Sequence, residues 1–189
     1  MNEQPGAQNL NGVNVSRLNE TIQAIQAKPS LADFRFRVVN KWKGGGFNQT
    51  TVKASYGAGQ EFPGRYGKFV MEADEPPILL GEDKAANPVE HLLHALVACV
   101  TTSMVYHAAA KGIPLDAVES EVEGELDLHG FLGLDPKVRN GFKSITLNMR
   151  ISGNLTEEQK QEVVKLGPRF SPVYDMVTNS VPVTVKLSN

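Results

Sequence analysis

The sequence predicts an α+β fold in which antiparallel strands surround one long apolar helix. Three observations carry this prediction: a capped helix between Asn87 and Gly112, segments in which apolar and polar residues alternate, and helix signals near the C-terminus. Alternation with a period of two is typical of strands that bury one face. The chain has 189 residues, which suffices for about one domain with its own core.

The long helix has clear signals at both ends. Asn87 is a favourable N-cap, Pro88 suits the first helical position, and Glu90 can reach back to the cap, while Gly112 and Pro114 end the helix. The stretch between them is apolar around most of its circumference, which predicts burial inside the protein or an oligomer. Thr, Ser and His interrupt it, and no apolar run reaches the roughly 20 residues of a membrane span, so we expect no membrane partner.

Strands are predicted wherever apolar and polar residues alternate. Their ranges are 34–43, 49–55, 68–73, 118–128, 143–151 and 181–187. The glycines at 44–46 separate the first two strands and predict a hairpin rather than a phosphate-binding loop. The first strand has a basic outer face, and the acidic row of the fourth, from Glu119 to Asp127, is expected to be a solvated face.

The N-terminal region is predicted to be separate from the main fold. Residues 1–12 are polar and predict a mobile tail, and apolar residues at helical spacing then predict a short helix that begins at Asn14 or Ser16 and ends before Pro29. We therefore expect residues 1–33 to form a tail and a short helix, and residues 34–189 to form a single domain.

Two further helices are predicted near the C-terminus. Thr156 and Gln159 form a capping box for a helix that ends near Gly167 and Pro168. Ser171 and the proline that follows it then open a short final helix.

Composition excludes several classes of function. The net charge is −2 with a pI of about 6.1, which predicts no basic surface for nucleic acid. The single cysteine, Cys99, excludes an intramolecular disulfide, and four scattered histidines fit no Cys-rich zinc module. The N-terminus lacks the order of a signal peptide. We expect a cytoplasmic protein with no metal and no cofactor.

Cys99 lies near the middle of the long helix, where the helix dipole has little effect on a thiol. The residues that share its face of the helix are mostly apolar with a few hydroxyls: Leu92, Ala95, Leu96, Thr102, Ser103 and Tyr106. Two interpretations remain open: an inert buried cysteine, or a reactive thiol activated by a cation from another segment. His91 and His94, three residues apart, give only a weak indication of a metal site.

Four motifs together resemble the OsmC/Ohr family. They are WKGGG (42–46), NPVEHLLHALVACV (87–100), AAAKGIPLDAVESEVEGEL (108–126) and SPVYDMVTNSVPVTV (171–185). The resemblance covers roughly residues 34–187. It implies an OsmC-like fold, with antiparallel sheets wrapped around long central helices in an intertwined homodimer that has its active sites at the subunit interface.

The resemblance also implies a chemistry. Better-known members of the family reduce organic hydroperoxides through a peroxidatic cysteine on the central helix, and Cys99 matches that position. Ser171 stands where the family has its resolving cysteine. The glutamate that assists the family's site aligns with Val89, while Glu90 lies one residue later, where a capping role competes with a role in the site.

An assisting arginine is also missing, because the position expected for it falls near Gly46 or Phe47. Other basic side chains could supply the cation, and the sequence does not select among them. These candidates are Arg35, Arg37, Lys41, Lys43 and Arg65.

Two functions follow as alternatives. The first is a redox protein or thiol peroxidase that acts on organic hydroperoxides through Cys99 and is restored by an external thiol, since its own chain has no second cysteine. The second is a non-catalytic OsmC-like protein that binds a small apolar molecule in the pocket of the dimer interface.

Overall fold

The computed structural model describes residues 8–188, which form helices and antiparallel sheets, as the α+β class requires. The strands are β1 (Asn9–Leu10), β2 (Val13–Asn14), β3 (Val38–Gly44), β4 (Phe47–Val52), β5 (Ser55–Gly57), β6 (Gln60–Phe62), β7 (Val70–Ala73), β8 (Ala117–Glu125) and β9 (Ser144–Ser152). The helices are α1 (Val15–Ala27), α2 (Pro88–Ala110), α3 (Leu128–Phe131), α4 (Glu157–Phe170) and α5 (Pro172–Thr178). Short 3-10 turns occupy Pro29–Ala32, Pro63–Arg65 and Pro77–Leu79.

The chain divides into two compact units, and residues 14–92 make up most of the first. Its antiparallel sheet has the order β3-β4-β7. The predicted hairpin at the glycine run is confirmed: Gly44 and Gly45 have positive φ angles of 116° and 54°, which glycine adopts without strain. The Trp42 indole N–H donates to the Gly45 carbonyl at 3.0 Å and closes the turn.

Asp74 organises the loop between β7 and α2. Its buried carboxylate accepts hydrogen bonds from the backbone N–H groups of Glu75, Glu82 and Lys84 at 2.9, 3.2 and 3.1 Å. The Lys84 amide, together with the other two, holds the pKa of Asp74 below its ordinary value. The adjacent Glu75 carboxylate accepts a hydrogen bond from the Asn87 side chain. The loop is therefore tied to the residue from which α2 begins.

The second unit comprises residues 9–13 and 93–188. Strands β8 and β9 pair along their whole length, from Ala117 opposite Ser152 to Glu125 opposite Ser144. The core packs side chains of α2, β9 and α4 together; its buried members are Met104, Ala108, Ile151, Val163 and Leu166. The glutamates of β8 are exposed, as predicted for a solvated face.

Residues 8–12 differ from the predicted mobile tail; residues 1–7 of that prediction lie outside the described residues. Strands β1 and β2 form a short hairpin. The Asn11 side-chain amide donates to the Ile113 carbonyl at 2.9 Å and accepts from the Leu115 N–H at 2.8 Å. The side-chain amide thus makes the same two kinds of hydrogen bond to the backbone that a neighbouring strand would make. It holds residues 9–13 against the segment that follows α2.

The C-terminus also differs from its prediction. Residues 181–187 form no strand within the described part of the chain, although apolar residues alternate there. Val183 and Val185 are 81% and 92% exposed. An alternating pattern yields a strand only when a sheet edge is available to pair with it, so the prediction of a closing strand is wrong for the single chain.

Helix α4 approaches α2 so closely that a side chain at Gly167 has no room. A Cβ atom built on Gly167 would lie 2.7 Å from Val100 Cγ1 and 3.1 Å from the Val100 carbonyl oxygen. Val100 is fully buried and branched at Cβ, so it has little freedom to move aside. The predicted end of α4 near Gly167 is extended to Phe170, which places one more turn of α4 beside α2.

Gly167→Ala is expected to destabilise the protein by about 1–2 kcal/mol, because overpacking exceeds the gain in helix propensity. Gly141→Ala is the matched control, since a Cβ there meets only the far end of Arg139 at 3.8 Å. Denaturant unfolding of both variants measures the effect. Equal stability of the two would contradict the close approach.

Candidate active site

Helix α2 begins with a reciprocal cap. Asn87 Oδ1 accepts a hydrogen bond from the Val89 N–H at 2.8 Å, and Glu90 Oε2 accepts one from the Asn87 N–H at 2.8 Å. The Asn87 carbonyl accepts the first helical bond, from the His91 N–H at 3.0 Å. Glu90 is exposed, and its carboxylate serves the cap as the sequence indicated. The cap fixes where α2 begins and therefore the face on which Cys99 lies.

Cys99 is a free, half-buried thiol. The neighbouring Leu96 and Val100 are buried, whereas Thr102 and Tyr106 are exposed. The thiol therefore lies at the boundary between the packed and the open face of α2. This position leaves the thiol accessible to small molecules from the open face of α2.

The packed side of this boundary meets the end of α4. The Ser103 hydroxyl lies 3.4 Å from the Phe170 carbonyl, to which it donates a hydrogen bond. Ser103 is one helical turn beyond Cys99, so both side chains lie on neighbouring parts of the same face. The structure thus brings the α4–α5 junction within one helical turn of Cys99.

An aromatic stack reinforces the junction. The His107 imidazole stacks on the Phe170 ring with centroids 3.6 Å apart and planes inclined by 13°. Burial, followed by the nearby Lys111 and Arg169 cations, lowers the pKa of His107 below its ordinary value. The lowered pKa favours the neutral imidazole, which suits flat contact with an aromatic ring in an apolar surrounding.

Ser171 follows directly in this junction and is only 2% exposed. Its hydroxyl oxygen accepts a hydrogen bond from the Tyr174 N–H at 3.1 Å and caps α5. Its own N–H donates to the Gly167 carbonyl at 3.0 Å. The residue at the resolving position is thus a buried cap, and a hydroxyl cannot form the disulfide that a cysteine there would form.

The helix histidines other than His107 have separate environments. His91 Nε2 lies 2.7 Å from the Glu72 carbonyl oxygen, and His94 is exposed. Within residues 8–188, no group of three His, Cys, Asp or Glu side chains is arranged to hold a metal ion.

Three of the five candidate cations have defined contacts in the first unit. Arg37 forms an ion pair with Glu61 at 3.0 Å. The Arg35 and Arg65 guanidinium groups lie over the rings of Tyr56 and Phe69, 5.1 and 5.3 Å from their centroids. None of these contacts selects a cation for Cys99.

Sequence reasoning missed Gly167 and Phe170, which position the junction. A signal was present: Gly167 interrupts an otherwise amphipathic helix, and such a glycine usually has a packing reason. Ser103 was placed correctly on the face of Cys99, but its partner on another helix has no sequence signature.

Helix α2 alone, among the described residues, is long and apolar enough to cross a membrane by length and composition. The prediction that no apolar run reaches this length treats each Thr, Ser and His as an interruption. The mean hydropathy of the helix remains high despite these residues. The indication is weak, because α2 buries Leu96, Val100 and Met104 as the core helix of a globular unit does.

Comparison with known protein families identifies the family to which this chain belongs. The sequence pattern of OsmC-like proteins matches residues 81–186, which include α2, β8, β9, α4 and α5. The chain belongs to the OsmC-like protein family. A comparison with curated proteins finds no match.

Solved structures share the OsmC-like fold. An organic hydroperoxide resistance protein OsmC from Legionella pneumophila is 20% identical, with a TM-score of 0.53 and coverage of 75% of this chain and 88% of that one. An OsmC-like protein from Mycoplasma pneumoniae is 16% identical, with a TM-score of 0.59 and coverage of 77% and 89%. An organic hydroperoxide resistance protein from Elizabethkingia anophelis is 17% identical, with a TM-score of 0.51 and coverage of 77% and 91%. The predicted family and fold are therefore confirmed.

Proposed function

We propose that this OsmC-like protein reduces organic hydroperoxides through Cys99 and is restored by an external thiol. The observation that carries the proposal is the half-buried thiol on the central helix, one turn from the junction at which the family places its second redox residue. Two similar structures are named as organic hydroperoxide resistance proteins. The same setting supports the cytoplasmic location expected for a reduced thiol.

The chemistry proceeds in three balanced steps. The Cys99 thiolate attacks the terminal oxygen of the hydroperoxide, the O–O bond breaks, and the alkoxide takes a proton and leaves as the alcohol. The sulfenic acid then condenses with an external thiol, which releases water and leaves a mixed disulfide. A second external thiol attacks the mixed disulfide, restores the Cys99 thiol and leaves as the oxidised disulfide of the reductant.

Ser171 determines that the external reductant acts on the sulfenic acid itself rather than on an intramolecular disulfide. With a hydroxyl at the resolving position and no other cysteine in the chain, the sulfenic acid has no intramolecular partner. Leu92 and Tyr106, two helical turns before and after Cys99 on the same face, are 40% and 49% exposed, and they favour an alkyl or aryl hydroperoxide over hydrogen peroxide, because burial of an apolar group is favourable.

Brief exposure of the reduced protein to one equivalent of cumene hydroperoxide, with dimedone present, is expected to give one adduct on Cys99 by intact-mass spectrometry. Cys99→Ser is expected to give none. Glu90→Ala, which removes only the helix cap, is expected to keep the adduct at reduced stability. An unmodified Cys99 with the peroxide intact would overturn the proposal.

That negative outcome would favour the second candidate, a non-catalytic protein that binds an apolar molecule. The engagement of Ser171 and Glu90 in helix caps is the observation in its favour, because neither group is then free to assist peroxide chemistry.

Ser171→Cys is expected to convert the protein into a two-cysteine enzyme. A disulfide requires Cα atoms within about 7 Å, and the contact between Ser103 and Phe170 indicates that position 171 approaches Cys99. One equivalent of hydroperoxide should then produce a disulfide, measured as the loss of two hydrogens and of the dimedone adduct. Ser171→Ala, which loses the cap alone, should keep the adduct. A persistent sulfenic acid in Ser171→Cys would contradict this geometry.

We further propose that the protein is an intertwined homodimer. In the first unit, the face of the β3-β4-β7 sheet that carries Val38 and Trp42 leaves these residues 57% and 74% exposed. In the second unit, residues 181–187 alternate apolar side chains without a strand partner in the described chain. Exposed apolar surface of this extent is typical of an interface, and the unpaired segment can add a strand to the sheet of a second copy.

Light scattering is expected to give twice the chain mass of 20.6 kDa. Val185→Glu should shift the protein toward the monomer, because it places a charge in the apolar row. Lys186→Glu, one residue away on the polar side of the alternation, should leave the mass unchanged. A monomeric mass for the unmodified protein would refute the dimer.

A further inference from the structure

One strongly charged surface of the first unit has no part in the proposed chemistry. Residues 34–69, which we call the basic segment, contain seven Lys or Arg residues and one carboxylate, a net charge of +6. Since the whole chain carries −2, the rest of it carries −8. The seven basic residues are Arg35, Arg37, Lys41, Lys43, Lys53, Arg65 and Lys68. The near-neutral total therefore conceals a strongly basic region.

The sheet gathers several of these cations on one face. Val39 lies opposite Thr51 in the β3–β4 register, and the Lys53 N–H donates to the Arg37 carbonyl at 2.9 Å. Because side chains alternate along a strand, Arg37, Lys41 and Lys53 share a face, which we call the basic face. The same face carries one carboxylate on β7, Glu72, which accepts a hydrogen bond from the Gln49 side chain at 3.0 Å. Val38 and Trp42 belong to the opposite face, which the proposed dimer covers.

Most of these charges are available to a partner. Arg37 pairs with Glu61 at 3.0 Å. Lys41, Lys53 and Lys68 are exposed, and none of them forms an ion pair with another residue between 8 and 188. Unpaired cations on neighbouring strands form a surface that attracts a polyanion.

Aromatic rings lie at one end of the basic face. The Gly67 N–H donates to the Val52 carbonyl at 3.0 Å, which holds the 62–69 loop beside Lys53. Arg65 and Lys68 lie over the Phe69 ring, 5.3 and 5.4 Å from its centroid. Tyr66, between them in sequence, is 62% exposed. Interleaved cations and exposed rings are typical of surfaces that bind single-stranded nucleic acid.

We propose that the basic face and the 62–69 loop bind single-stranded nucleic acid. Lys41, Lys53 and Lys68 contact phosphates, and Tyr66 stacks on a base. Arg37 and Lys41 are four residues apart, about 13.6 Å along the strand, and Lys53, directly after β4, lies beside Arg37, so the cations can contact successive phosphates of a flexible backbone. An anionic membrane fits less well, because Val38 and Trp42, which would enter a bilayer, lie on the opposite face. The net charge of the whole chain predicted no basic surface for nucleic acid, and this proposal differs from that prediction.

Fluorescence anisotropy of the full-length protein with a labelled oligothymidylate of about 20 nucleotides tests the proposal. Between about 50 and 200 mM salt, three phosphate contacts predict a slope of about −2 in a plot of log affinity against log salt concentration. The double variant Lys41→Glu, Lys53→Glu should bind at least tenfold more weakly, with a slope smaller by about 1.4. Tyr66→Ala should weaken binding roughly fivefold or more.

The matched control is the double variant Lys137→Glu, Arg139→Glu, which makes the same charge change at exposed residues of the second unit. It should bind within about twofold of the unmodified protein at 200 mM salt, where distant charges are screened. The proposal is wrong if the oligonucleotide does not bind at the lower salt concentration, or if both double variants lose affinity equally. Binding to phosphatidylserine vesicles without binding to the oligonucleotide would overturn it in favour of a membrane surface.

Discussion

The close packing of α4 against α2 is the constraint on which the candidate site depends. Gly167 leaves no room for a side chain beside Val100, so the two helices approach more closely than most residue pairs would permit. One turn further, Ser103 bonds to the Phe170 carbonyl and His107 stacks on the Phe170 ring. These contacts fix the end of α4, and therefore the position of Ser171, relative to the helix that carries Cys99.

The packing of α4 against α2 explains why the absence of a cysteine at position 171 matters for the chemistry. The fold holds position 171 at the junction, buried and capping α5, yet a serine there offers no sulfur. Formation of a sulfenic acid at Cys99 does not require a resolving residue, whereas its reduction requires a thiol from some source. In the proposed function, this chain alone carries out the reduction of the hydroperoxide by Cys99. Reduction of the resulting sulfenic acid depends on an external thiol.

Local signals predicted a large part of the fold. The caps of α1, α2, α4 and α5 are all satisfied by the residues that the sequence indicated, since a cap is decided by residues within one helical turn. Strands β8 and β9 follow from alternation because each pairs with the other within the chain.

The failures involve contacts between distant residues. Residues 9–13 are ordered by the Asn11 bonds to Ile113 and Leu115, about a hundred residues away. Residues 181–187 have the pattern of a strand but no partner within the described chain. For the candidate site, the helix wheel placed Ser103 near Cys99, but only the structure shows that Phe170 completes the contact. The clustering of basic residues on one face likewise depends on strand register, which whole-chain charge does not report.

The central claim is that Cys99 is peroxidatic and has no resolving partner in its own chain. The most direct test is to count the hydroperoxide consumed per subunit, first without and then with an added monothiol. The account predicts that one equivalent is consumed rapidly, that only slow over-oxidation of the sulfenic acid follows, and that rapid consumption resumes in proportion to the added thiol. No consumption in the first phase, or continued turnover without thiol, would contradict it.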